Sequence, residues 1–232
     1  MFRYSTFLFL CSLFGIPLFA NPPDQSKHGH IFLPGWQPYL CINGDITSPW
    51  IVLEHQGPSF HLRRVPQIHL DSPSGKPGSG PCRFKLPGWR RAVALFQGVE
   101  TIQPRKAIPV AIEPSASWGS RIPSTVTSFN AKFRGEGLIL KQSNRKESSW
   151  DSFTFELSYG GKTQLIHQGT ADWGFHGWSV RFIGDLDGDG KPDLLITMSG
   201  SKGGDQTILF LSSLAGPNEL LGQAADYDDY DD

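Results

Sequence analysis

Apolar residues along this chain recur with a period of two rather than 3.6. The clearest case is 152–159, where Phe153, Phe155, Leu157 and Tyr159 alternate with Ser152, Thr154, Glu156 and Ser158. Successive side chains of an extended strand point to opposite faces, so this alternation puts the large apolar groups on one face. Gly160-Gly161 follows. Both glycines accept the positive φ of a tight two-residue hairpin turn, and 162–168 is expected to return as the partner strand. Similar strand-like runs occur at 39–43, 50–55, 60–64, 92–97, 108–112, 124–133, 137–141, 178–183, 193–198 and 206–211, separated by Gly, Pro, Asn, Asp and Ser. Helical periodicity is hard to find. Many short strands with regular turn signals predict an all-β fold of antiparallel sheets, in sandwich or partial barrel-like packing, with little helix.

The N-terminus reads differently. Arg3 precedes an apolar run over 7–19, which Gly15 and Pro17 interrupt before Ala20. This is the grammar of a secretory signal peptide over 1–20, so the mature chain is expected to be secreted or periplasmic. The run is shorter than the ~20 apolar residues of a spanning helix, and no later segment predicts a membrane span. Cleavage removes Cys11 and leaves Cys41 and Cys82. Two cysteines in an exported chain suggest one disulfide; the alternative is two separate buried thiols. The stretch 114–123, with its prolines, serines and a glycine, marks the expected boundary between an N-terminal β region (21–115) and a C-terminal one (116–225). The last seven residues, 226–232, contain five Asp and are expected to form a solvated acidic tail. Leu-Pro-Gly-Trp occurs at 33–36 and again at 86–89, and is read as a recurring turn.

Charge adds one exclusion and one open question. With 21 Lys+Arg against 22 Asp+Glu the chain lacks the strong basic balance of a nucleic-acid binder, and no nucleic-acid partner is expected. The basic residues nonetheless crowd into 60–106, which holds nine of them against Asp71 and Glu100. That stretch is either a solvated face or a surface for a polyanion such as an acidic glycan.

Residues 184–196 carry the candidate chemistry: Gly-Asp-Leu-Asp-Gly-Asp-Gly-Lys-Pro-Asp-Leu-Leu-Ile. Asp185, Asp187, Asp189 and Asp193 stand at positions 1, 3, 5 and 9 of a loop, with Gly190 at position 6. Alternate residues of a tight loop turn their carboxylates toward a common centre, and a hard cation such as Ca²⁺ takes six to eight oxygen ligands. Lys191, at position 7, would contribute its backbone carbonyl. Four converging carboxylates repel unless a cation neutralises them. Position 12 is Ile196 rather than the bidentate Glu of an EF-hand, and both flanks are strand-like. The pattern resembles the FG-GAP calcium repeat of integrin α-type and VCBS-like proteins. That resemblance covers roughly 182–196. It implies a loop between antiparallel strands with Asp185, Asp187, Asp189 and Asp193 as side-chain ligands. A single copy does not predict a full calcium-repeat propeller, which needs several four-stranded blades.

Just before the loop, Trp173-Gly-Phe-His-Gly-Trp178 offers two readings. Trp173 and Trp178 would form a carbohydrate platform with His176 as a polar handle, or the rings pack the core beneath the loop. No nucleophile elbow, zinc-protease motif, P-loop or dinucleotide fingerprint is present, and no catalytic residue is assigned. The reading as a whole is an exported β protein with a structural Ca²⁺ loop, serving as an interaction module for a surface protein or glycan. The alternatives are a purely structural envelope protein and a hydrolase.

Overall fold

A computed structural model of the chain describes residues 29–33, 36–37, 50–57, 59–65, 69–71, 82–85, 91–109, 111–112, 122–123, 127–147, 150–172, 175–200 and 205–229. The signal segment, Cys41, Trp173 and the strand expected at 39–43 lie outside those residues. In chain order the strands are β1 (Gly29–Phe32), β2 (Trp36–Gln37), β3 (Trp50–Gln56), β4 (Ser59–Val65), β5 (His69–Asp71), β6 (Cys82–Lys85), β7 (Ala92–Gln97), β8 (Arg105–Pro109) and β9 (Ala111–Ile112). They continue with β10 (Ile122–Pro123), β11 (Ser128–Phe133), β12 (Glu136–Glu147), β13 (Trp150–Tyr159), β14 (Lys162–Asp172), β15 (Phe175–Asp185), β16 (Asp193–Gly200), β17 (Asp205–Leu211) and β18 (Gly222–Asp229). A 3-10 turn, Ser212–Leu214, follows β17.

The fold is all-β, as the alternation predicts. A ten-stranded sheet runs β10-β15-β16-β17-β18-β1-β7-β3-β4-β8, and β8 pairs again with β15. That last pairing closes nine of the strands into a barrel. Every pair in it is antiparallel except β1 with β18, which places the first described strand beside the last. The closing seam is short: its matched residues are Gly184 with Pro109 and Asp185 with Ile108. A separate five-stranded antiparallel sheet has the order β14-β13-β12-β11-β9, and β2, β6 and β5 form a small third sheet.

Two apolar cores follow from the period of two. The barrel interior collects residues from all nine of its strands, among them Ile31, Leu53, Phe60, Phe96, Phe182, Leu195 and Leu209. The second core lies between the five-stranded sheet and the outer face of β15–β17, and joins Phe153, Phe155 and Leu157 to Trp178, Val180, Leu194, Ile196, Ile208 and Phe210. On β16, Leu194, Ile196 and Met198 face this outer core while Leu195 faces the barrel. On β17, Ile208 and Phe210 do the same against Leu209 and Leu211. Strands buried on both faces read as continuous apolar runs, which is what 194–196 and 208–211 are. Full burial of one such side chain stabilises by ~1.5–3 kcal/mol.

Strands from both sides of 115 share the barrel: the β8–β15 and β1–β18 pairings join the regions expected at 21–115 and 116–225. The structure departs from the sequence reading in two places. The expected strand at 108–112 divides between β8 in the barrel and β9 in the five-stranded sheet. The expected acidic tail begins too early, because Asp226–Asp229 belong to β18 and pair with β17. Asp226 is exposed, while the neighbouring Ala224, Ala225 and Tyr227 pack on the barrel core.

Candidate metal centre

The acidic loop joins β15 to β16, and its base is the Gly184–Asp193 pair. Gly188 and Gly190 take φ of +87° and +86°, a region that costs any residue with a Cβ about 1–2 kcal/mol. These glycines let the backbone turn tightly enough to bring alternate carboxylates together. One oxygen each from Asp185, Asp187 and Asp193 lies within 4.8 Å of the other two. Oxygens that share one hard cation at ~2.3–2.6 Å are at most about 5 Å apart, so this triad has the spacing to hold a metal ion.

Asp193 anchors the cluster. Its side chain is fully buried. One carboxylate oxygen accepts from the Leu186 N–H at 2.6 Å and the Asp187 N–H at 3.2 Å. The other accepts from the Ser212 N–H at 2.8 Å and lies 2.9 Å from the Ser212 hydroxyl. Burial outweighs these donors and pushes the Asp193 carboxyl up to about 7, with the charge of Asp187 adding to the rise. Asp185 is also buried and its pKa is raised by desolvation first, against the lowering effect of Arg105. A cation among these groups favours the ionised forms that burial disfavours. The donor set therefore fits a metal ion both in chemistry and in charge.

Asp189 is not part of the triad. Both of its oxygens face the Ser212 hydroxyl, at 3.0 and 2.9 Å, and one accepts from the Lys191 N–H at 2.8 Å. The loop thus gathers three of the four expected carboxylates, and the fourth fastens the loop to the 3-10 turn. Ser212 Oγ stands between Asp189 and Asp193 and has one proton to donate. Ser213 Oγ donates to Asp187 on the other side of the loop.

Two arginines complete the site. Arg105, at the start of β8, places Nη2 3.3 Å from Asp185 and donates from Nε to the Leu186 carbonyl at 3.0 Å. Arg134 places Nη2 3.7 Å from the second oxygen of Asp185. Neither arginine nor either serine was visible as a site residue in the sequence. Arg105 stands 80 positions before Asp185, and Ser212 19 positions after Asp193. Arg105 registered only as one more charge in the basic stretch 60–106. Within that stretch Arg63 also has an internal partner, Glu54 at 2.5 Å, so part of the local excess is spent inside the fold.

The aromatic cluster before the loop separates. Trp178 is fully buried, with its ring edge-on to Phe155 at 5.3 Å between centroids. It is a core residue and not half of a carbohydrate platform, because β15 turns it toward the five-stranded sheet. His176 is exposed. Cys82 opens β6, but its expected partner Cys41 lies outside the described residues.

Compared with protein-family models, curated proteins and solved structures, the chain gives no match. Among the described residues no helix is long and apolar enough to cross a membrane.

Proposed function

We propose that the 185–193 loop is a Ca²⁺ site whose role is structural, in an exported β-barrel protein that acts as an interaction module for a surface protein or glycan. The observation that carries the metal reading is the convergence of the Asp185, Asp187 and Asp193 oxygens within 4.8 Å. The alternating Asp pattern and its resemblance to the FG-GAP loop support calcium over softer metals, since every side-chain donor is a carboxylate oxygen. The bound ion would supply positive charge to buried carboxylates. The chain's own groups do the rest: Asp193 ties the base of the loop to Ser212, and Asp185 ties it to β8. With Trp178 in the core, a contact surface is to be sought around the exposed His176 rather than on a paired-ring platform. The export reading rests on the 1–20 segment.

A second reading is favoured by the 3.3 Å Arg105–Asp185 contact: a purely structural loop that arginines neutralise without a metal. Thermal unfolding of wild type and Asp187→Ala in millimolar Ca²⁺ and in chelator separates the two. At tenfold excess over Kd, calcium adds about 1.4 kcal/mol. For a chain of this size that raises Tm by roughly 3–6 °C. Asp187→Ala is expected to lose the rise. An unmoved wild-type Tm would leave the arginine-neutralised loop as the surviving reading.

A further inference from the structure

We propose that Arg105 is the built-in counter-cation of the acidic loop, which balances Asp185 in the metal-free protein and competes with the incoming ion. The proposal rests on the reading of the loop as a Ca²⁺ site and adds a regulator of that site's affinity. It also couples metal occupancy to the seam that closes the barrel.

Several observations place Arg105 in this role. Asp185 is buried, so its charge needs a partner within the protein or in the loop. Arg105 reaches it at 3.3 Å, and its Nε–H···O bond to Leu186 at 3.0 Å fixes the guanidinium over the loop. The fixation is built into the loop itself. A Cβ on Gly188 would stand 1.3 Å from Arg105 Nη1, so this glycine makes room for the guanidinium as well as for the turn. Arg105 also begins β8, and β8 meets β15 through Ile108 and Pro109. The same residue thus links loop charge to barrel closure.

Arg134 provides the internal contrast. Its side chain is 55% exposed, against 28% for Arg105, and it stands farther from Asp185, at 3.7 Å. A divalent ion among Asp185, Asp187 and Asp193 meets the guanidinium of Arg105 at short range in a poorly solvated place. Like charges there interact several times more strongly than in water. Arg134 is screened by solvent and matters less.

Calorimetric titration with CaCl₂, paired with thermal unfolding in chelator, tests this on the mature chain. Arg105→Gln is expected to tighten Ca²⁺ binding by about tenfold or more and to lower Tm in chelator. Arg105→Lys keeps a charge and is expected to stay within about threefold of wild type, as is the exposed Arg134→Gln. Arg105→Met, uncharged and of similar length, replaces Arg105→Gln if that variant does not fold. Wild type that binds Ca²⁺ while the uncharged variant binds equally or more weakly overturns this proposal and leaves the calcium site standing. An uncharged variant that binds when wild type does not supports it in its strongest form. No binding by either would sink the calcium reading and this proposal with it.

Discussion

Two adjacent hairpins of this protein are closed in opposite ways. The β13–β14 hairpin turns through Gly160 and Gly161, at φ of +58° and +75°, with Tyr159 and Lys162 paired across it. Nothing outside the hairpin is needed to shape that turn, because two residues without Cβ suffice. The β15–β16 hairpin turns through an acidic loop whose side chains reach Ser212, Ser213, Arg105 and Arg134. These partners lie on the 3-10 turn, on β8 and between β11 and β12, so the second loop is a junction of four chain segments. A turn held by backbone freedom is local in its consequences. A turn held by buried charge ties its stability to everything that balances that charge.

The sharpest test of this contrast is Asp193→Ala. It removes the acceptor for the Leu186, Asp187 and Ser212 amides in a fully buried place, at 1–3 kcal/mol for each donor left unmet. A loss on the order of 4 kcal/mol is expected in urea unfolding with chelator present. A loss near 1 kcal/mol would mean that the loop is as local as the glycine turn.

The next test uses pH. The folded Asp193 carboxyl titrates at about 7, and its unfolded value is near 3.9. Between those values the folded chain holds a proton that the unfolded chain releases. Stability in chelator is therefore highest below about pH 4 as far as Asp193 is concerned, and falls as pH rises to about 7, by up to roughly 4 kcal/mol. Asp185, also raised, acts in the same direction. His167 acts the other way below its ordinary value, because burial lowers its pKa and protonation then favours the unfolded chain. Comparing wild type with Asp193→Asn across this range isolates the Asp193 contribution, and parallel profiles would remove it. Saturating Ca²⁺ is expected to flatten the wild-type profile, since the ion favours the ionised carboxylate.

The smallest effect belongs to the local turn. Gly160→Ala forces a Cβ into positive φ, with no atom nearer than 3.7 Å to the added carbon. The expected cost is about 1 kcal/mol, without change in Ca²⁺ response. A Ca²⁺ response that moved with this substitution would show that the two hairpins are not independent.

Much of the fold is legible in the sequence. Phe153, Phe155 and Leu157 alternate in the sequence and face one core in the structure, because strand pleat is a property of the backbone alone. The acidic loop was legible too, since the Asp spacing and Gly190 are local. Trp178 was not: a buried ring and an exposed platform have the same letter, and only the packing of β15 against the five-stranded sheet chose burial. Asp226–Asp229 misled for a related reason, because a dense acidic run reads as solvated whether or not β17 offers it a ladder.

The sequence by itself determined the all-β class, the glycine-closed hairpin and the grouping of the Asp residues, all of which depend on neighbours within a few positions. The tertiary structure alone decided that Asp189 turns to Ser212, that Arg105 and Arg134 face Asp185, and that β8 closes the barrel on β15. Those outcomes depend on residues far apart in the chain. Their pairing is chosen by which buried charges and open strand edges remain to be satisfied once the two cores have formed.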